Sequence, residues 1–194
     1  MLREKLANYN IILASGSPRR QNFFKQLDVP FTIQLKEVEE IYPDHLKAAE
    51  ITDYLADLKS KAFTELSEND LLITSDTIVW FEGKAIGKPK DKEDAFQMLT
   101  SMSGKKHYVY TSVSIKSKNF QTVFHDETMV EFSTLTTEEI NYYLEKHQPY
   151  DKAGSYGIQD WIGLIGVNKL QGSYFNVMGL PVHKLYKELI KIAT

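Results

Sequence analysis

Chemistry first shows in the run Ser15-Gly16-Ser17-Pro18-Arg19-Arg20. Ser17 occupies an N-cap position and Pro18 suits the first helical position, so both guanidinium groups fall in the first turn of a helix. That end of a helix is already partly positive, and cations are unfavourable there. An anion resolves the conflict. Backbone N–H groups, the Ser15 and Ser17 hydroxyls and the guanidinium forks together suit a phosphorylated substrate. The competing reading is a plain strand–turn–helix with solvated arginines. If the arginines serve a ligand, Arg20→Ala is expected to spare stability while activity falls.

Asp76 is the second candidate. It interrupts the apolar run Leu71–Phe81, and strand interiors disfavour aspartate. Either the chain bends there and Asp76 caps the backbone, or the carboxylate is held as a metal ligand or general base. An unpaired buried carboxylate is costly, so Asp76→Asn is expected to hold or raise stability. Thr77 points to the opposite face in an ideal strand, and the two reach one ligand only if the strand bends. Glu37, Glu39 and Glu40 form an acidic loop that, on sequence alone, reads as solvated surface. Lys61 reads equally as a solvated lysine. Lys88 precedes Pro89, which favours an extended backbone and a projecting point charge; Lys90 and Lys152 are weaker candidates. Gln159 offers both a donor and an acceptor, which suits a pyrimidine edge better than phosphate.

These residues need elements to position them. Ile11–Ala14 reads as a buried strand, followed by a helix with Phe23, Phe24 and Leu27 on its apolar side. Phe31–Leu35 reads as a strand and Lys36–Asp44 as a loop. A helix follows with Ile51, Leu55, Leu58, Ala62 and Leu66 at helical spacing. Leu71–Phe81 is a long strand closed by a turn at Glu82-Gly83-Lys84. Asp91 caps a helix carrying Ala95, Met98, Leu99 and Met102, which Gly104 ends. His107–Lys116 and Phe120–Phe132 read as an antiparallel pair. Thr136–Lys146 is a helix with Thr136 and Glu139 as a capping box. Asp151–Gly172 is irregular with short strands, and Pro181 opens a last helix packed by Leu185, Leu189 and Ile192. Interleaved strands, helices and hairpins give an α/β fold with a mixed sheet.

The 194 residues carry 42% hydrophobic and 25% charged side chains, an ordinary globular mix favouring one domain or one two-lobed body. Cysteine is absent, which removes disulfides, thiolate metal sites and cysteine nucleophiles. The net charge of −3 has no basic stripe beside it, which disfavours nucleic acid. The scattered Trp80, Trp161 and tyrosines read as packing, not stacking platforms. No apolar stretch spans a bilayer and no secretory signal opens the chain, so no membrane partner is expected and cytoplasm is the default. The histidines lack zinc-site spacing, and Pro89 after Gly87-Lys88 breaks a Walker loop.

Five stretches, in order, resemble the Maf family of nucleotide pyrophosphatases. They are Leu13–Arg20, Ser75–Val79, Gly87–Asp91, Asp151–Gln159 and Gly172–Tyr174, followed by Gly179-Leu180-Pro181. The resemblance covers essentially the whole chain, residues 1–194 as one domain. It implies a mixed, elongated sheet with flanking helices and two lobes around a cleft, as in inosine triphosphate pyrophosphatases. It implies hydrolysis of nucleoside triphosphates to monophosphate and pyrophosphate. Asp76 is then the proton acceptor, and Glu40, or Glu39 if the alignment shifts by one, is the acid near metal and phosphates. Asp76 and Glu40 would hold magnesium or manganese. Ser15, Ser17, Arg20, Lys61 and Lys88 fall on the phosphates. Arg19, Thr77 and Gln159 match the group selecting dTTP and UTP, modified pyrimidine nucleotides included. Members preferring modified guanosine triphosphates carry tryptophan where Arg19 stands. A house-cleaning role belongs to the same resemblance. The alternative is a nucleotide-binding regulator of cell division and septum formation with little catalysis. A homodimer is compatible with the sequence, which does not fix the oligomeric state.

Overall fold

Ile11-Ile12-Leu13 and Leu71-Leu72-Ile73 are apolar at every position, the pattern of parallel strands covered on both faces. The computed structural model, which describes residues 1–193, pairs them. After a short α1 (Leu2–Lys5), β1 (Asn10–Leu13) runs parallel to both β2 (Thr32–Ile33) and β3 (Asp70–Phe81), with Ile11 opposite Leu71 and Leu13 opposite Ile73. β3 turns back into β4 (Lys84–Ile86) through Glu82 and Gly83, at φ 47° and 78°. Both are left-handed, as the tightest hairpin turn requires. β5 (Lys106–Lys116) and β6 (Gln121–Phe132) are neighbours joined only by Ser117–Phe120, too short a link for a parallel pair. β7 (Val167–Gln171) then pairs antiparallel to β6. Among the described residues the sheet has seven strands in the order β2-β1-β3-β5-β6-β7, with β4 on β3. The fold is mixed α/β.

The helices follow their caps. α2 (Pro18–Gln26) starts with proline at its first position. α4 (Lys92–Met102) starts where the Asp91 carboxylate accepts from the Asp94 N–H at 2.9 Å. α5 (Thr137–His147) has the expected capping box, with Thr136 and Glu139 serving each other's N–H at 3.2 and 2.7 Å. α8 (Val182–Ile192) follows Pro181 and buries Leu185 and Leu189.

Three expectations change. β2 is confined to Thr32–Ile33. α3 (Ala49–Lys61) stops before Leu66. Carbonyls at and just past its end are taken by lysines: Lys116 Nζ donates to the Ser60 and Phe63 carbonyls at 3.2 and 3.0 Å, and Lys36 Nζ to that of Ala62 at 2.8 Å. Cations at a helix C-terminus satisfy the dipole as well as the acceptors. The irregular Asp151–Gly172 stretch contains a 3-10 turn (Ala153–Ser155), α6 (Trp161–Gly166) and β7, before α7 (Tyr174–Val177).

The chain divides into two compact units. The first holds Met1–Asp76, Thr111–Asp126 and the residues from Gly179 onward; the second holds Thr77–Tyr110 and Glu127–Met178. Ile12, Phe63 and Leu72 pack together in the first, and Val79, Leu99, Phe132, Tyr143 and Ile162 in the second. Among the described residues no helix is long and apolar enough to cross a membrane.

Candidate active site

β1 pairs with β3 only as far as Ile73, and β4 begins pairing at Val79. Thr74–Ile78 lie between, paired with neither. Thr74 and Asp76 share one face of β3, and α3 packs on that face. Thr74 Oγ1 donates to the Ala56 carbonyl at 2.6 Å. One helical step further on, Lys59 Nζ donates to Asp76 Oδ1 at 2.7 Å. The same ammonium reaches Glu40 Oε1 at 2.9 Å from the acidic loop. Asp76 is 6% exposed, so its charge is held out of bulk water by a partner rather than left alone. The expectation of an unpaired carboxylate is therefore corrected: Asp76 is ion-paired, in a continuous strand, and caps no turn.

Lys59 was not among the sequence candidates. Its signal was available, since it follows buried Leu55 and Ala56 at helical spacing and so lies on the core-facing side of α3. Lys61, two positions on, is turned away. Its Nζ pairs with Asp57 at 2.6 Å one turn earlier on an exposed surface, and that hydrogen bond raises its pKa. Of the acidic loop, Glu40 is the residue that the structure brings to Lys59.

α3 is fixed by a polar seam against β5 and β6. Ser112 Oγ donates to Thr52 Oγ1 at 2.6 Å and lies 2.7 Å from Asp53 Oδ1. Gln121 Nε2 reaches Asp57 Oδ1, Ser60 Oγ and Ser114 Oγ at 2.6, 2.9 and 3.0 Å. Directional bonds of this kind fix the helix register more tightly than apolar contact does, and with it the height of Lys59 against Asp76.

Arg20 is also held by backbone carbonyls. Its Nε donates to the Gly179 carbonyl at 2.8 Å, and its Nη1 to the Ser75 carbonyl at 2.9 Å. Nη1 also reaches Ser15 Oγ at 3.4 Å. The Ser75 carbonyl belongs to the stretch of β3 that neither β1 nor β4 pairs, so Arg20 replaces a missing strand contact. Burial lowers its pKa to about 10, with Asp76 and Glu40 opposing that shift and Arg19 adding to it. It stays charged at neutral pH. Against the expectation from sequence, these bonds make a loss of stability the expected result of Arg20→Ala.

Ser15 is buried, and its Oγ also accepts from the Ser17 N–H at 3.3 Å. Ser17 takes the N-cap position of α2, but its hydroxyl makes no capping bond. Arg19 is half-buried. The first unit thus gathers Ser15, Arg20, Glu40, Lys59 and Asp76.

In the second unit Thr77 is half-buried and Lys88 exposed. The loop carrying Lys88 is tied down where the Gly87 carbonyl accepts from the Gly154 N–H at 2.9 Å. Lys152 pairs with Asp151 at 2.8 Å. Gln159 lies over Gly157, where an added Cβ would meet Gln159 Nε2 at 2.6 Å and Asp160 Oδ2 at 2.5 Å. Gln159 Nε2 donates to Asp160 Oδ1 at 3.1 Å, while Oε1 is buried without a partner. An unmet buried acceptor costs about 1–3 kcal/mol and calls for an explanation. Behind this turn His107 Nε2 meets Tyr156 OH at 2.7 Å. Burial lowers the His107 pKa to about 4 and raises that of Tyr156, so both stay neutral.

Two carboxylates on one ammonium supply hard oxygen donors but too few for a closed cage. Among the described residues no group of three or more histidines or acids could hold a metal. That donor set fits magnesium, which keeps waters and is completed by substrate phosphates.

The family described as Maf-like protein matches residues 10–192. The chain is 60% identical over 190 residues to a dTTP/UTP pyrophosphatase of Flavobacterium johnsoniae, covering 97% of this chain and 98% of that one. It is 57% identical to a dTTP/UTP pyrophosphatase of Christiangramia forsetii, covering 97% of each. Among solved structures, the Ham1 protein of Staphylococcus aureus superposes with a TM-score of 0.55 at 15% identity, over 94% of this chain and 99% of that one. A HAM1 protein from Coxiella burnetii gives 0.51 at 13%, over 94% and 99% of the two chains. These structures establish a shared fold and nothing finer.

Proposed function

The chain belongs to the Maf-like family, and from that premise we propose that it hydrolyses nucleoside triphosphates to monophosphate and pyrophosphate, with dTTP and UTP as preferred substrates. The observation that carries the chemistry is Lys59 joining Asp76 and Glu40 at 2.7 and 2.9 Å. Asp76 takes the proton of the water that attacks the α-phosphorus. The new bond is from water oxygen to phosphorus, and the bond broken is from that phosphorus to the leaving pyrophosphate. Lys59 keeps the Asp76 carboxylate oriented and neutralises charge as it develops. Asp76 and Glu40 would hold magnesium or manganese, which when bound polarises the phosphates and lowers the pKa of its water. Lys88 and the N–H groups opening α2 carry charge for the triphosphate. Ser15 and Arg20 shape that corner, and the Ser17 hydroxyl, unused as a cap, is available to it.

Arg19, Thr77 and Gln159 read the base. A free amide acceptor suits the ring N–H of uracil or thymine, and cytosine has no N–H there. Sites that hydrogen-bond a ring N–H reject analogues lacking it more strongly than apolar pockets do. Modified uracil and thymine nucleotides that keep that N–H fall in the same class. The reaction is placed in the cytoplasm, where nucleoside triphosphates are made and used.

The test is a panel of common and modified triphosphates with magnesium or manganese, scoring both products. Pyrophosphate with dTMP or UMP is expected. Equal turnover of ATP, GTP and UTP, or release of orthophosphate, overturns the assignment.

A further inference from the structure

Asp160 stands at the N-cap of α6, yet its side chain makes no capping bond. An aspartate there ordinarily accepts from its own helix. This one turns elsewhere. Oδ1 accepts from Gln159 Nε2 at 3.1 Å, and Oδ2 accepts from Tyr143 OH at 2.9 Å. Tyr143 is fully buried, and its hydroxyl also accepts from the Gly157 N–H at 3.1 Å. Burial raises the Tyr143 pKa and keeps it a donor. Lys152 Nζ stands 3.8 Å from Oδ2 and is mostly buried, adding positive charge on that side.

An amide has two ends, and rotation by half a turn exchanges a donor for an acceptor. An ionised carboxylate can only accept, so it binds the –NH2 end and rejects the C=O end. We propose that Asp160, anchored by Tyr143, is a specificity-positioning residue that fixes which end of the Gln159 amide faces the base. With Nε2 committed to Asp160, Oε1 is the end left without a partner. That polarity selects the ring N–H of uracil and thymine and rejects the bare ring nitrogen of cytosine. The inference rests on the reading of Gln159 as a base-contacting residue.

Asp160→Asn tests it. Asparagine presents both a donor and an acceptor, so the Gln159 amide can take either orientation. The ratio of kcat/KM for UTP over CTP should fall about tenfold. The change should lie mostly in KM, with UTP losing and CTP gaining. Inhibition by inorganic pyrophosphate should stay unchanged, which general damage to the fold would not allow. Asp160→Glu, still acceptor-only, should restore most of the ratio. Tyr143→Phe, which frees Asp160 without touching Gln159, should shift the ratio the same way by a smaller factor and covers the case in which Asp160→Asn fails to fold. An unchanged UTP to CTP ratio in folded Asp160→Asn or Tyr143→Phe overturns the proposal while leaving Gln159 as reader. A wild-type protein without UTP preference over CTP overturns the base reading itself, and this inference with it.

Discussion

Asp76 is held by an ion pair between a regular strand and a regular helix, whereas the Gln159 amide is held by a hydrogen bond to Asp160 over a turn closely packed at Gly157. The first arrangement concentrates charge. Lys59 and Arg20 stand with Asp76 and Glu40 in one unit, and the carboxylates and cations stabilise one another without any ligand. The second arrangement has little charge to spend and depends on direction: which end of an amide is committed, and to what. Charge acts on phosphate whatever the base, and direction acts on the base whatever the phosphate. Changes in the first region should therefore scale all substrates together, and changes in the second should reorder them.

The largest expected effect lies at Asp76. Asp76→Asn should lower turnover of every nucleotide by two to four powers of ten, the range that general-base loss produces, with the UTP to CTP ratio preserved. Stability should fall modestly, because Lys59 then keeps only Glu40 of its two carboxylate partners. Removing divalent metal with a chelator should abolish turnover yet leave the melting temperature nearly unchanged, since Lys59 already pairs both carboxylates. A reordering of substrates by Asp76→Asn would break the division between the two regions.

The second region should announce itself through pH. His107 is fully buried behind the Gln159 turn, with a folded pKa of about 4 against 6.5 when solvated. Above pH 6.5 neither state binds the proton and stability is complete. Between 6.5 and 4 the unfolded chain takes up a proton that the folded one refuses. Stability drops by about 3 kcal/mol across that window from this group. Urea unfolding of wild type and His107→Phe should show the variant with the shallower acid slope, whatever its absolute stability. Equal slopes would mean that His107 gains a proton while folded and that the turn is not dry.

Sequence alone carried the first region further than the second. Asp76 announced itself because a carboxylate among Leu71–Phe81 has no ordinary reason to be there. Its partner did not, because α3 was read by its leucines, and a lysine following Leu55 and Ala56 passes for solvated until the face it shares is counted. The contacts of Arg20 are hidden in the sequence for a different reason. The helix-end argument is local, and the carbonyls that hold Arg20 belong to Ser75 and Gly179, far along the chain. Asp160 hid behind a familiar role, since an aspartate opening a helix is expected to cap it. The strands, hairpins and capping boxes were legible because each depends on neighbours in sequence.

Arg20 gives the next effect in size. Arg20→Ala strips the Ser75 and Gly179 carbonyls of their donor, and buried acceptors so left cost about 2 kcal/mol in sum once water partly replaces the guanidinium. Thermal unfolding should register that loss. Arg20→Lys should recover little of it, because one ammonium cannot reproduce a planar fork aimed at two carbonyls. A melting temperature equal to wild type would return Arg20 to a purely ligand-facing role.

The smallest expected effect separates two lysines on one helix. Lys59 lies on the side of α3 that faces β3, and Lys61 lies on the exposed side with Asp57. Lys59→Met should cost turnover on all nucleotides by an order of magnitude or more, because two carboxylates lose the charge that holds them together. Lys61→Ala should leave kcat/KM for UTP within about twofold, since an exposed pair one turn apart contributes little. The melting temperature should barely move in Lys61→Ala. The pair of variants also tests the sequence resemblance that placed Lys61 on the phosphates. A large loss of activity in Lys61→Ala, with KM for the triphosphate raised, would mean that the exposed ammonium leaves Asp57 for the substrate. Charge for the phosphates would then come from both sides of α3, and the first region would extend beyond the core-facing side that Lys59 marks.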